Sequence, residues 1–80
     1  MKKVFLVYKT DTLHSYASRD IIGIATDEVY AVGICRDQAK KEGEKLDSED
    51  LFMLNNFKQT QGYKGEGEFQ FEEVLTNKLL

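Results

Sequence analysis

Val4-Phe5-Leu6-Val7-Tyr8 is apolar at every position and rich in β-branched and aromatic residues. That pattern predicts a strand covered on both faces, hence a central one. Lys9 to Arg19 is polar and reads as a long connection, with Leu13 or Tyr16 turning inward. Asp20-Ile21-Ile22-Gly23-Ile24-Ala25 predicts a second strand, in which Gly23 marks a bulge or a close backbone approach. At Thr26-Asp27-Glu28 the period changes: either Thr26 or Asp27 can accept the free N–H groups of a starting helix, and the acids suit its positive end. Ala31, Val32, Cys35 and Ala39 then recur at helical spacing, with Lys40, Lys41 and Lys45 toward the negative end and Gly43 as the stop.

Leu46-Asp47-Ser48-Glu49-Asp50-Leu51 is the sharpest local signal. Asp47 is placed to cap a second helix, and Leu46 and Leu51 stand where a hydrophobic staple closes. This helix runs to Phe57 or Lys58 and buries Leu51, Leu54 and Phe57. Gly62, Gly65 and Gly67 punctuate a loop from Gln59 to Gly67. Glu68-Phe69-Gln70-Phe71-Glu72 alternates strictly, which predicts a half-buried edge strand with Phe69 and Phe71 inward. Thr76 to Leu80 reads as a frayed tail.

The predicted fold is α+β in the order β-β-α-α-β, a single domain over residues 1–80: a three-stranded, mainly antiparallel sheet of order 2-1-3 with two helices on one face. A chain of 80 residues with a lone cysteine has no disulfide framework, which points to a reducing, cytoplasmic setting. It is 41% hydrophobic, too apolar for disorder, yet no stretch approaches membrane-spanning length. The net charge of −3 and only Arg19 and Arg36 as arginines argue against nucleic-acid binding through Lys2, Lys3, Lys9, Lys40, Lys41 and Lys45.

The strand Val4-Phe5-Leu6-Val7-Tyr8, the run Ile22-Gly23-Ile24-Ala25-Thr26 opening a helix at Asp27, and the closing Glu68-Phe69-Gln70-Phe71-Glu72-Glu73 resemble a group of short bacterial proteins. His14-Ser15-Tyr16-Ala17-Ser18-Arg19, Ala39-Lys40-Lys41-Glu42-Gly43 and Gln59-Thr60-Gln61-Gly62-Tyr63 resemble a narrower subgroup from gut bacteria. The resemblance implies a β-β-α-β plan and a bacterial origin. It implies no activity, cofactor or catalytic residue.

Candidate chemistry is sparse. His14 has Asp11, Ser15 and Ser18 near it in sequence, so a nucleophile–base pairing is conceivable, but a solvated loop is the simpler reading. A ligand site here would use His14, Tyr16 and Arg19. Cys35 falls on the apolar stripe of the first helix and reads as an inert buried thiol. Gly62-Tyr63-Lys64-Gly65 follows a helix and precedes a strand, the reverse of a phosphate-binding loop. One cysteine and one histidine do not make a structural zinc site, and no metal or other cofactor is implied.

The strongest functional signal is the two-sided apolarity of the first strand. With helices over Val4, Leu6 and Tyr8, residues Phe5 and Val7 lie on the second face, and Ile21 or Ile22 joins one of the two faces, Ile21 being the candidate for the open one. That face is open to a protein partner or a second copy, unless the loop over 9–19 or the C-terminal tail covers it. The leading expectation is therefore a non-enzymatic interaction module whose partner is another protein or a second copy of itself, as a homodimer; the alternatives are a ligand-binding loop or enzyme site around His14 and weak nucleic-acid binding.

Overall fold

The computed structural model describes residues 3–75. β1 (Lys3–Thr10) is the middle strand, flanked by β2 (Asp20–Ala25) and β3 (Glu68–Leu75), both antiparallel to it. The helices α1 (Glu28–Lys41) and α2 (Ser48–Phe57) fall between β2 and β3 in the chain. The predicted order and architecture are those observed. The expected tail at 76–80 lies outside the described residues.

Both helices begin as their sequences dictate. The Asp27 carboxylate accepts the Tyr30 N–H at 2.8 Å and caps α1. At α2 the cap is reciprocal: Asp47 Oδ1 accepts the Asp50 N–H at 2.9 Å, and Asp50 Oδ2 accepts the Asp47 N–H at 3.2 Å. Two donors that helix geometry leaves free are thus satisfied together. Burial pushes the Asp50 carboxyl above its ordinary range, and the nearby Asp47 and Glu68 charges add to this. Lys58 ends α2 in the left-handed region at φ 60°.

The core lies between the helices and one face of the sheet. Ala31, Val32, Cys35 and Ala39 of α1 and Leu54 of α2 meet Phe5, Val7, Ala25, Phe69 and Phe71. Phe5 and Phe71 pack edge to face with centroids 5.9 Å apart. Two of the expectations reverse here. Phe5 and Val7, expected on the open face, are buried under the helices, and Val4, Leu6 and Tyr8 point away from them. Register decides it: Val7 pairs with Phe71 and with Gly23, and directly paired residues share a face. Gly23 lets α1 approach closely, since a Cβ there would meet Ile34 at 2.9 Å. Phe57, expected in the core, is 64% exposed and stacks edge to face on Phe52 at 6.2 Å.

β2 carries a bulge. Gly23 pairs with Val7 and Ile21 with Tyr8, so Ile22 is an extra residue in the ladder. The bulge puts Ile21 and Ile24 on one face although three positions separate them, and leaves Ile22 packed against the core side. On the far side of β3, the chain returns after α2. The Thr60 N–H donates to the Phe69 carbonyl and the Phe71 N–H to the Lys58 carbonyl, both at 2.9 Å. Residues 58–60 thus cover part of that sheet edge.

Candidate functional site

The outer face of the sheet, the one away from the helices, divides into three zones. The first is sealed by loops. Lys9 and Thr10 extend β1 further than expected, and the connection that follows folds back on itself around Asp11. Asp11 Oδ1 accepts the Leu13 and Ser15 N–H groups at 3.0 and 3.1 Å, and Oδ2 accepts the Ser15 hydroxyl at 2.8 Å. These bonds, from Ser15 foremost, hold the Asp11 carboxyl below its ordinary range. The turn throws His14 into the left-handed region at φ 54° and aims its ring inward, while neither Leu13 nor Tyr16, one of which was expected inside, turns in: they are 84% and 82% exposed. His14 Nε2 lies 2.9 Å from the Thr60 carbonyl oxygen, and Nδ1 lies 3.0 Å from Gln70 Oε1 and 3.1 Å from Thr10 Oγ1. A carbonyl can only accept, so Nε2 carries a hydrogen. The ring ties the first loop to β3 and to the strand-like return after α2.

This arrangement does not assemble a nucleophile. The Ser15 hydroxyl is engaged by Asp11, and the imidazole points to other partners. Tyr16, in the short 3-10 turn Tyr16–Ser18, stands in solvent. His14, Tyr16 and Arg19 therefore do not converge on a common concavity.

The second zone is a polar bridge across the middle of the face. The Tyr8 hydroxyl donates to Glu72 Oε1 at 2.7 Å, and Arg19 pairs with Glu72 Oε2 at 3.6 Å. The Arg19 guanidinium lies 4.1 Å from the Tyr16 ring centre and 5.2 Å from that of Tyr8. Arg19 is thus a clasp holding the 3-10 turn to the sheet, and its Nε is buried without a partner. Burial, then the bond to Glu72, pushes the Tyr8 phenol from 10.0 up to about 12.

The third zone is apolar and open. Val4 and Leu6 of β1 are half-buried, Val74 pairs with Val4, and Ile24 pairs with Leu6. Ile21 and Ile24 are 58% and 64% exposed, and none of the described helices lies over them. Of the three surface residues expected from sequence, Ile21 is in this zone; Phe5 and Val7 are replaced by Val4, Leu6 and Ile24. The sequence marks a bulge at Gly23, and the bulge lies beside it at Ile22; its consequence, bringing Ile24 to the same side as Ile21, is what the sequence reading missed.

Beside β3, the Gly-rich loop is organised from within. Glu68 is buried, and its carboxylate accepts the Thr60 hydroxyl at 2.7 Å, the Gly62 N–H at 2.9 Å and the Tyr63 N–H at 3.2 Å. The amides that an anion would need are occupied by this internal one. Lys9 Nζ sits 4.3 and 4.6 Å from the Phe69 and Tyr63 ring centres and pairs with Glu42 at 3.2 Å. Burial raises the Glu42 carboxyl, but bonds from Gln38, Tyr63 and Lys9 outweigh it and hold the group below its ordinary range. Cys35 is fully buried, and loss of solvent pushes its thiol up to about 12. Such a thiol is not a nucleophile near neutral pH.

A cleft of about 700 Å³ runs along α1, with Tyr30, Gly33, Ile34, Lys40, Lys45 and Leu46 among its lining. It lies apart from the His14 loop. Among the described residues, no cluster of His, Cys, Asp and Glu is arranged to hold a metal ion, and no helix is long and apolar enough to cross a membrane. No family model matches the chain, and neither a curated protein nor a solved structure matches it significantly.

Proposed function

We propose that this domain is a non-catalytic protein-interaction module that binds through the open third of its outer sheet face. One observation carries the reading: Ile21 and Ile24 stand exposed beside half-buried Val4 and Leu6, on a face that no described helix covers. Single exposed apolar residues are ordinary, but a contiguous row on a regular sheet is the usual mark of a contact surface. Its neighbours favour the same reading. The polar bridge of Tyr8, Glu72 and Arg19 borders the patch as a rim, and interfaces commonly place an apolar centre inside a polar margin.

A photo-crosslinking amino acid at position 24 tests this in cells that express the chain. It is expected to trap one discrete protein adduct, whereas the same group at Val29, exposed on α1, traps none. No discrete adduct from positions 6, 21 or 24, or equal trapping from Val29, would overturn the proposal.

A further inference from the structure

Resting on that reading, we infer that the partner is a second copy of this chain, paired through the free edge of β2 rather than laid flat on the sheet. The two sheet edges are not alike. Residues 58–60 hydrogen-bond along β3, so that edge is partly filled by the chain itself. β2 has no described strand beyond it. Natural edge strands are commonly blunted by lysine, proline, a bulge or an inward charge, because an open edge invites another strand; of these β2 carries the bulge at Ile22 and the terminal Asp20. Asp20-Ile21-Ile22-Gly23-Ile24-Ala25 holds no lysine, arginine or proline, and its only charge stands at the end.

The bulge then selects the partner. Along β2 the residues face inner (Asp20), outer (Ile21), inner (Ile22), inner (Gly23), outer (Ile24), inner (Ala25), where inner is the helix side; this follows from their pairing with Lys9, Tyr8, Val7, Leu6 and Phe5 and from the packing of Ile22 on the core. The pattern is a palindrome. Residues directly opposite one another in an antiparallel pair must share a face. A second β2 meets that condition along its whole length in one register only, with a two-fold axis between Ile22 and Gly23. There Ile21 opposes the partner copy's Ile24, Ile22 opposes Gly23, and Asp20 opposes Ala25. A shift by one residue in either direction sets inner against outer. An unbulged strand would alternate without this symmetry centre. The paired register gathers two copies each of Ile21 and Ile24 into one patch on the outer face, where each is now exposed. The product is a continuous sheet with three strands from each chain, joined by a self-complementary contact of the kind two-fold dimers use.

Disulfide trapping reads the register directly. Directly opposed residues of an antiparallel pair have Cα atoms about 4.5–5.5 Å apart, within the range a disulfide spans. Chains carrying Ile21→Cys are mixed with chains carrying Ile24→Cys under mild oxidation. Both sites are exposed, so folding is expected to survive and is checked by circular dichroism; the native Cys35 is buried away from exchange. The expected result is a covalent dimer from the mixture, formed at least about tenfold faster than from either chain alone, because neither residue opposes itself across the axis. Light scattering of the unmodified chain is expected to give twice the chain mass, falling to one when Ile24→Lys places like charges in the patch. Equal trapping from the single species would overturn the edge register. A dimer by light scattering with no trapping in the mixture would also overturn it while leaving the outer-face reading intact. So would a strict monomer whose position-24 crosslinker captures a different protein. A strict monomer with no adduct at all would remove both.

Discussion

Glu68 accepts the Thr60 hydroxyl at 2.7 Å in the buried base of the Gly-rich loop, and the same hydroxyl accepts the Phe69 N–H at 2.9 Å. The carboxylate therefore anchors a chain of donors that have no other partner in the described structure. Replacing Glu68 by Ala leaves the Thr60 hydroxyl and the Gly62 and Tyr63 amides unpaired in or near the interior. Each such loss costs about 1–3 kcal/mol, and partial rearrangement of the loop limits the total to about 3 kcal/mol. Urea denaturation is expected to show this loss, with Glu68→Gln intermediate because an amide keeps one acceptor oxygen.

His14 is structural in the present reading, and its role is separable from that of Ser15. His14→Ala removes the ring that ties the first loop to Thr60 and Gln70 and leaves a strained left-handed backbone, for an expected loss of about 1–2 kcal/mol. Ser15→Ala removes only an exposed bond to Asp11, and its denaturation midpoint is expected to move by less than about 0.5 kcal/mol. Equal effects from the two changes would count against the assignment.

Two glycines are expected to respond in opposite directions to alanine. Gly33 lies within α1 with open space where a Cβ would go, so Gly33→Ala gains helix propensity and stabilises by about 0.5–1 kcal/mol. Gly67 has φ +69°, and a Cβ there would collide with the backbone carbonyl oxygen of Thr10. Gly67→Ala is expected to cost more than about 2 kcal/mol, since neither strain nor clash can be relieved by a side-chain rotation. Thermal unfolding of the two variants beside the parent checks both signs.

Alkaline pH gives a further expectation. Tyr8 is raised from 10.0 to about 12, first by burial and then by its bond to Glu72, and Tyr63 is raised as well by burial and Glu42. Above about pH 10 the unfolded chain loses phenolic protons that the native chain retains, so the native state binds more protons and its stability falls as pH rises. Stability is expected to be insensitive to these groups below pH 10 and to decline from there toward 12. Tyr8→Phe makes the decline shallower without abolishing it, because Tyr63 still contributes. Urea midpoints across this range, with phenolate absorbance as the titration readout, measure it.

The architecture was legible where the determining signals are local. Val4 to Tyr8, apolar throughout, identified a central strand, and Leu46-Asp47-Ser48-Glu49-Asp50-Leu51 held the α2 cap in one short run. That same apolar run concealed which side met the helices, since a strand without alternation has no readable phase. Phase came from its neighbours: Phe71 had to be inward, and pairing Val7 with Phe71 turned Val7 inward with it. Ile24 was overlooked because regular alternation puts it opposite Ile21, and a bulge is a property of two strands together. His14 was visible as a residue but not as a tie, because Thr60 and Gln70 are 46 and 56 positions away. Glu68 reads as a solvated strand end until the loop amides it satisfies are known.

The pairing of β1 with β3 across the length of the chain has a consequence for synthesis. β1 emerges first from the ribosome and β3 last, yet they pair along their full length, from Lys3 with Leu75 to Thr10 with Glu68. Until the final segment appears, the nascent chain holds one hairpin and two helices with Phe5 and Val7 still lacking Phe71 as a neighbour. Folding of this sheet therefore waits until β3 has cleared the ribosome, and a ribosome stalled before residue 68 would carry an adhesive, chaperone-dependent intermediate.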